Sequence, residues 1–229
     1  IKLLQRLSIF CIKISELISD PLGSDTEGEW IEIMNTGSGV INLSGLMLQV
    51  GEGGSYVLGD INLGSGQYLT IDRSVSGLSL RNAGDIVRLL DNDKLIDSNE
   101  YPELPEGISY GRLDEFFLVF CVPTKGKRNE VRFLDPQIHI QSGQTHQISK
   151  VTINLEAVVS TGSLASAICS WEYGDGYTSD SCNPPSYTFR TVGRYNIGLS
   201  LTDYCSNTVE RMLEIEVLET GVYQEQSLN

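Results

Sequence analysis

The sequence predicts an all-β protein of two β-sandwich domains in tandem. Short runs in which apolar and polar residues alternate recur at spacings near ten residues, Gly, Asn, Asp and Pro separate them, and no stretch keeps the periodicity of an amphipathic helix. At 229 residues the chain is long enough for two domains of about 100 residues, each burying its own core. A composition of 40% hydrophobic and 20% charged residues is that of folded protein rather than of a disordered one.

Taken in order, the opening Ile1–Phe10 is a short amphipathic piece interrupted by Lys2 and Arg6, without the small-residue cleavage site of a signal peptide. With no initial Met, the sequence is expected to be a segment of a longer protein whose export signal lies upstream. Strands are predicted at Ile12–Ile18 and Glu29–Asn35, joined through Asp20-Pro21-Leu22-Gly23, and at Leu46–Val50 after the turn at Thr36–Gly39. Further short strands are predicted at 56–58, 61–63, 68–72, 78–80, 86–90, 94–97 and 108–110.

The order of these pieces resembles the lamin tail domain. The matching residues are Ile14-Ser15-Glu16-Leu17 with Asp20-Pro21, Glu29-Trp30-Ile31-Glu32-Ile33-x-Asn35, Ile41–Leu46, Asn82-x-Gly84-Asp85-x-Val87-x-Leu89-x-Asp91, and Pro123-Thr124-x-Gly126-x-x-Asn129. The last piece departs from the family's Thr-Pro-Gly order. The resemblance covers about residues 11–130 and implies an immunoglobulin-like sandwich, of the kind that bacterial secreted or surface proteins carry beside binding or hydrolytic modules. No heptad rod precedes it, which separates it from a nuclear lamin. The basic run Lys125–Asn129 reads as a solvated linker ahead of Asp135-Pro136, with contact to an anion or anionic polymer as the lesser alternative, and residues 131–135 are expected to link the two domains.

In the second half, Cys169-Ser170-Trp171-Glu172-Tyr173 alternates like a half-buried strand and then meets Gly174-Asp175-Gly176, a hairpin turn that needs positive φ. Tyr187, Phe189, Tyr195, Ile197, Leu199 and Leu201 alternate around a break at Val192-Gly193, so another turn joins two more strands. The order Trp-x-Tyr-Gly-Asp-Gly, Asn-Pro-x-x-Tyr-x-Phe and Gly-x-Tyr-x-x-x-Leu-x-x-x-Asp resembles the PKD (polycystic kidney disease) domain over residues 136–218. Ser186 stands where that family usually has His. This resemblance implies a second immunoglobulin-like sandwich, devoted to display and adhesion, with residues 219–229 as a polar tail or linker.

Cys169 and Cys182 lie symmetrically about the glycine turn, and a two-residue turn at Asp175-Gly176 would oppose them on adjacent strands, close enough for a disulfide. Cys182–Cys205 is the competing pair, and Cys11–Cys121 a further pairing. No Cys-x-x-Cys supports zinc or redox chemistry, and an oxidising, extracytoplasmic setting is expected.

Thirty acidic against 16 basic residues give a formal charge of −14, which argues against nucleic acid as a partner. No run of residues is apolar enough to form a membrane-spanning helix. The chain has two histidines, His139 and His146, in a polar stretch read as strand and turn, and lacks the Gly-x-Ser-x-Gly, His-Glu-x-x-His and phosphate-loop patterns. No catalytic residue, cofactor-binding residue or metal ligand is predicted. Asp20, Asp25, Glu27, Glu29 and Glu32 crowd the first turn and Asp91-Asn92-Asp93 a hairpin, but neither has the spacing of a calcium loop, and calcium is at most a weak expectation. Trp30 and Trp171 read as core; the loop residues Tyr177, Asp180 and Tyr204 are the candidate ligand contacts. The function expected is that of a non-catalytic scaffold, adhesion or spacer pair in a secreted or cell-surface protein, contacting protein or cell envelope. The alternative is a carbohydrate-binding accessory module of a larger secreted hydrolase.

Overall fold

The structure, a computed structural model, describes residues 9–142, 150–219 and 223–226. It is all-β in two compact units, Ile1–Arg132 and Phe133–Asn229. His146, the opening Ile1–Ser8 and the last residues of the tail lie outside the described residues.

In the first unit, β1 (Ile12–Ile18), β2 (Trp30–Asn35), β3 (Ile41–Asn42), β4 (Leu46–Val50), β5 (Gly54–Val57), β6 (Asn62–Leu63), β7 (Tyr68–Asp72), β8 (Gly84–Asp91), β9 (Lys94–Pro102), β10 (Ser109–Leu113) and β11 (Phe116–Phe120) follow in chain order. They build a five-stranded sheet, β11-β10-β1-β2-β7, a four-stranded sheet, β5-β4-β8-β9, and the small pair β3-β6. Between the larger sheets lies one apolar core that includes Ile14, Leu17, Ile31 and Ile33 from the first and Leu48, Val87 and Leu89 from the second. This alternation is what the sequence predicts. Two one-turn helices, α1 (Asp25–Gly28) and α2 (Arg73–Ser76), interrupt the connections. The residues 78–80 predicted as a strand form none, whereas Phe116–Phe120, unpredicted, is the edge strand β11. Its five consecutive apolar residues hide the alternation, although Phe116 and Leu118 face solvent. Asn92 and Asp93 both adopt positive φ between β8 and β9, the geometry of a two-residue hairpin turn.

In the second unit, β12 (Pro136–Ser142), β13 (Val151–Val159), β14 (Ile168–Glu172), β15 (Thr178–Ser179), β16 (Tyr187–Phe189), β17 (Gly193–Thr202), β18 (Thr208–Val217) and β19 (Tyr223–Gln226) form the sheets β12-β13-β16 and β15-β14-β17-β18-β19. Trp171 is fully buried and donates its indole N–H to the Ser181 carbonyl at 2.9 Å. Tyr173, Tyr187, Phe189 and Tyr195 stack beside it, with successive ring centroids 4.4–5.0 Å apart. Strand β19 occupies part of the segment expected to be a polar tail.

Cys169 and Cys182 form a disulfide with a Cα–Cα distance of 5.1 Å. The route differs from the expected two-residue turn. Trp171 pairs with Ser179 and Glu172 with Thr178, so the loop has five residues and the register would set Cys169 against Ser181. Gly174 and Gly176 both take positive φ inside that loop. Beyond β15 the chain crosses toward the other sheet, where the Cys182 carbonyl accepts a hydrogen bond from the Ala157 amide of β13. Cys11 is a free thiol, while Cys121 and Cys205 are disulfide-bonded, so neither Cys11–Cys121 nor Cys182–Cys205 is formed.

Candidate functional site

The polar residues most unlike their surroundings lie on the outer face of the five-stranded sheet. Along β2, Ile31 and Ile33 enter the core and Trp30, Glu32 and Met34 point the other way, opposite Asp72, Thr70 and Tyr68 of β7. A β-bulge at Ser15 then shifts the register of β1. Ile14 pairs with Ile33 and Leu17 with Ile31, while Glu16 pairs with Glu32. Ser15 and Glu16, adjacent in sequence, therefore share the outer face with Glu32.

That face is covered by the chain that follows β11. Thr124 donates through its amide to both Glu16 carboxylate oxygens, each at 3.1 Å, and through its hydroxyl at 2.8 Å; Ser109 donates a further hydroxyl bond at 2.5 Å. The Gly126 amide and the Thr70 hydroxyl, the latter at 3.1 Å, donate to Glu32 Oε2. Asn129 donates from Nδ2 to the carbonyls of Ser15 (3.0 Å) and Arg112 (2.9 Å), and its Oδ1 lies 2.9 Å from Thr124 Oγ1, whose single proton it shares with Glu16 Oε2. Lys125 pairs with Asp72 at 2.6 Å and lies 5.5 Å from the centre of the Trp30 ring. The run read from sequence as a solvated linker is thus a closing segment of the first unit. Its lysines and arginines project outward, which gives it a linker's composition, but its backbone and Thr124 and Asn129 are docked.

Under this segment Glu16 and Glu32 are wholly buried. Burial raises the pKa of Glu16, against the opposing hydrogen bonds of Ser109 and Thr124. Glu32 is pushed up to about 7, chiefly by burial and further by the charge of Glu16, with the Gly126 amide working in the other direction. Ser15 is near enough to act weakly on Glu32, yet Ser15 Oγ and Glu32 Oε1 have no hydrogen-bond partner as placed. Two carboxyls with separated proton affinities are the raw material of acid–base catalysis, but these are sealed from any substrate. What the arrangement can do is hold a proton.

Of the acidic candidates Glu29 serves the chain itself, as does Asp97, which the sequence did not single out, whereas Glu27 is exposed. Glu29 is buried, bonded to Arg73 at 2.7 Å and to the Leu80 amide at 2.8 Å. Asp97 accepts from the Ile14 amide at 2.8 Å and pairs with Arg112, whose guanidinium lies 4.4 Å from the Phe117 ring centre. An open cavity of about 310 Å³ beside the cluster is lined by Tyr68, Arg112 and Arg128. Both arginines already have partners there, Asp97 and Asp114.

The expected ligand loops do not come together. Tyr177 follows the end of β14 at Glu172, which pairs with Gly198, whereas Tyr204 follows Thr202, which pairs with Ile168 at the other end. The length of β14, roughly 16 Å at about 3.3 Å per residue, separates the two ends. Tyr177 stacks on Tyr187 at 4.5 Å, as a lid on the aromatic core; Asp175 fixes it by accepting from the Tyr177 amide at 3.2 Å and from the Tyr187 hydroxyl at 2.5 Å. Asp180, Tyr204 and His139 are exposed.

Sequence reasoning passed over Glu16, Ser109, Thr124 and Asn129 as a site, although one signal was present. In Ile12-Lys-Ile-Ser-Glu-Leu-Ile two polar residues stand side by side in a strand that otherwise alternates, which is the mark of a bulge.

No curated protein and no solved structure matches the chain. No family model assigns the second unit. The family model of the Lamin Tail Domain matches residues 11–103, a span that takes in β1 to β9 and both Glu16 and Glu32.

Proposed function

We propose that the chain is a non-catalytic pair of display modules from a secreted or cell-surface protein, holding neighbouring parts in place or presenting its loops and edges to a protein or envelope component. The observation that carries this reading is the use made of the acidic residues. Glu16, Glu29, Glu32 and Asp97, the carboxylates best placed for chemistry or metal binding, are each taken up by hydrogen bonds that close the first sandwich. Two disulfides suit an oxidising environment. The order of turn and aromatic residues in the second unit supports assignment as a PKD-type module, a display fold. The polysaccharide alternative draws less support, because Tyr177 and Tyr204 sit at opposite ends of β14.

Sedimentation of the chain with isolated cell envelopes and with insoluble polysaccharides tests this. Retention on envelopes, abolished by pretreating them with protease, is the expected result. Retention on one polysaccharide, lost in Tyr177→Ala, would replace it with the accessory-module reading, and hydrolysis of any glycan or peptide by the chain would overturn it.

A further inference from the structure

The first unit contains a feature that display does not require. Glu16 and Glu32 face each other across paired strands, both wholly buried, and no ion pair among the described residues brings a cation to either. Two like charges directly opposed in a sheet repel, and burial in a low-dielectric interior sharpens the repulsion. The nearby cations are engaged elsewhere: Lys125 with Asp72, Arg128 with Asp114, Arg132 with Glu130. The other titratable group against Glu32 is Tyr68 of β7, whose pKa is raised by burial and by the charge of Glu32, so that it stays a neutral phenol. Arg132 attracts the charge of Glu16 weakly, and no ion pair among the described residues serves Glu32.

The hydrogen-bond pattern has a place for a proton. Glu32 Oε2 already accepts from Gly126 and Thr70, while Oε1 has no partner and neither has the neighbouring Ser15 hydroxyl. Ser15 can serve Oε1 in either state, donating to a carboxylate or accepting from a carboxyl, so the site accommodates a proton on Oε1, which leaves Glu16 as the single anion, wrapped by Ser109 and Thr124. The closing segment is the element that both carboxyls hold.

We propose that Glu16 and Glu32 form a proton-operated latch on residues 123–129: with one proton shared in the pair the segment is docked, and loss of that proton loosens it without unfolding the sandwich beneath. The sign follows from linkage. Docked Glu32 holds its proton up to about pH 7, while a released, solvated glutamate holds it only to its ordinary value of 4.5. Docking is therefore strongest below pH 4.5, weakens about tenfold per pH unit as the pH rises, and levels off above about 7, a total of roughly 300-fold.

Amide hydrogen exchange of the intact chain from pH 4.5 to 8.5, corrected for intrinsic exchange, reads this directly. The protection of the Thr124 and Gly126 amides falls by about two orders of magnitude between pH 4.5 and 7 and then stays level, and at every pH it lies well below that of Ile33 and Leu48 in the core. Glu32→Gln, neutral at every pH, shows no such fall. A wild-type Gly126 protection independent of pH would overturn the latch, and so would Gly126 protection equal to that of Ile33 at every pH, which would mean that the segment opens only by global unfolding. If Glu32→Gln does not fold, carboxyl carbon NMR of the wild type decides: Glu32 must titrate near neutrality together with the change at Gly126, and a Glu32 ionised throughout the range would contradict the proposal.

Discussion

Asn129 shows how much a single side chain carries here. It spans the bulge on β1, the end of β10 and Thr124 with three hydrogen bonds, and it is buried. Gly111 is placed just as tightly, since a Cβ there would sit 2.6 Å from the Ser15 carbonyl and 2.7 Å from Asn129 Nδ2. Gly111→Ala is expected to destabilise the first unit by about 2 kcal/mol, as overpacking does, measured by chemical unfolding. Glu32 adds a pH dependence at the same scale. An acid whose folded pKa is raised to about 7 from 4.5 contributes stability that is complete below pH 4.5 and lost as the pH rises through 7. Between those limits the wild type should lose about 3 kcal/mol relative to Glu32→Gln, at about 1.4 kcal/mol per unit. Unfolding curves of both at pH 5 and pH 8 check this, and parallel behaviour of the two would show that Glu32 is ionised in the fold throughout.

At the scale of elements, alternation made most strands legible, and positive-φ chemistry made the Asp91–Asp93 and Gly174–Gly176 turns legible. Three elements escaped for identifiable reasons. β11 is an unbroken apolar run with no alternation to read. The closing segment, which the resemblance already placed at the end of the first domain, escaped only the compositional reading, because exposed Lys125, Lys127 and Arg128 cover a docked backbone. The hairpin after β14 was placed with too short a turn, although the symmetric spacing still picked the cysteines that join. Removing that bond in Cys169→Ser/Cys182→Ser closes no loop of 13 residues in the unfolded chain and is expected to cost about 3 kcal/mol. The same hairpin makes Gly174→Ala costly, because φ is +79° and a Cβ would lie 2.8 Å from the Asn196 carbonyl. A loss of 2 kcal/mol or more in that variant is the expected outcome in chemical unfolding, since strain and overlap act together.

For the whole molecule, the candidate site was legible only as scattered acidic residues, because what gathers Glu16, Glu32, Thr124 and Asn129 is a one-residue bulge and a chain crossing more than a hundred positions away. Family resemblance named those residues without showing what they do. Their common task is closure of the first sandwich, so the acidic character that looks like a binding surface is in part an internal fastening. The formal net charge of −14 over the whole chain suits solubility. Calorimetry of the intact chain carrying Asn129→Ala is the most direct test. If residues 123–129 complete the first unit, the variant loses three hydrogen bonds and leaves buried carbonyls unsatisfied, costing about 3 kcal/mol and lowering the first unit's melting temperature by about 10 °C. A melting temperature within about 2 °C of wild type, the behaviour of a surface substitution in a linker, would contradict the account.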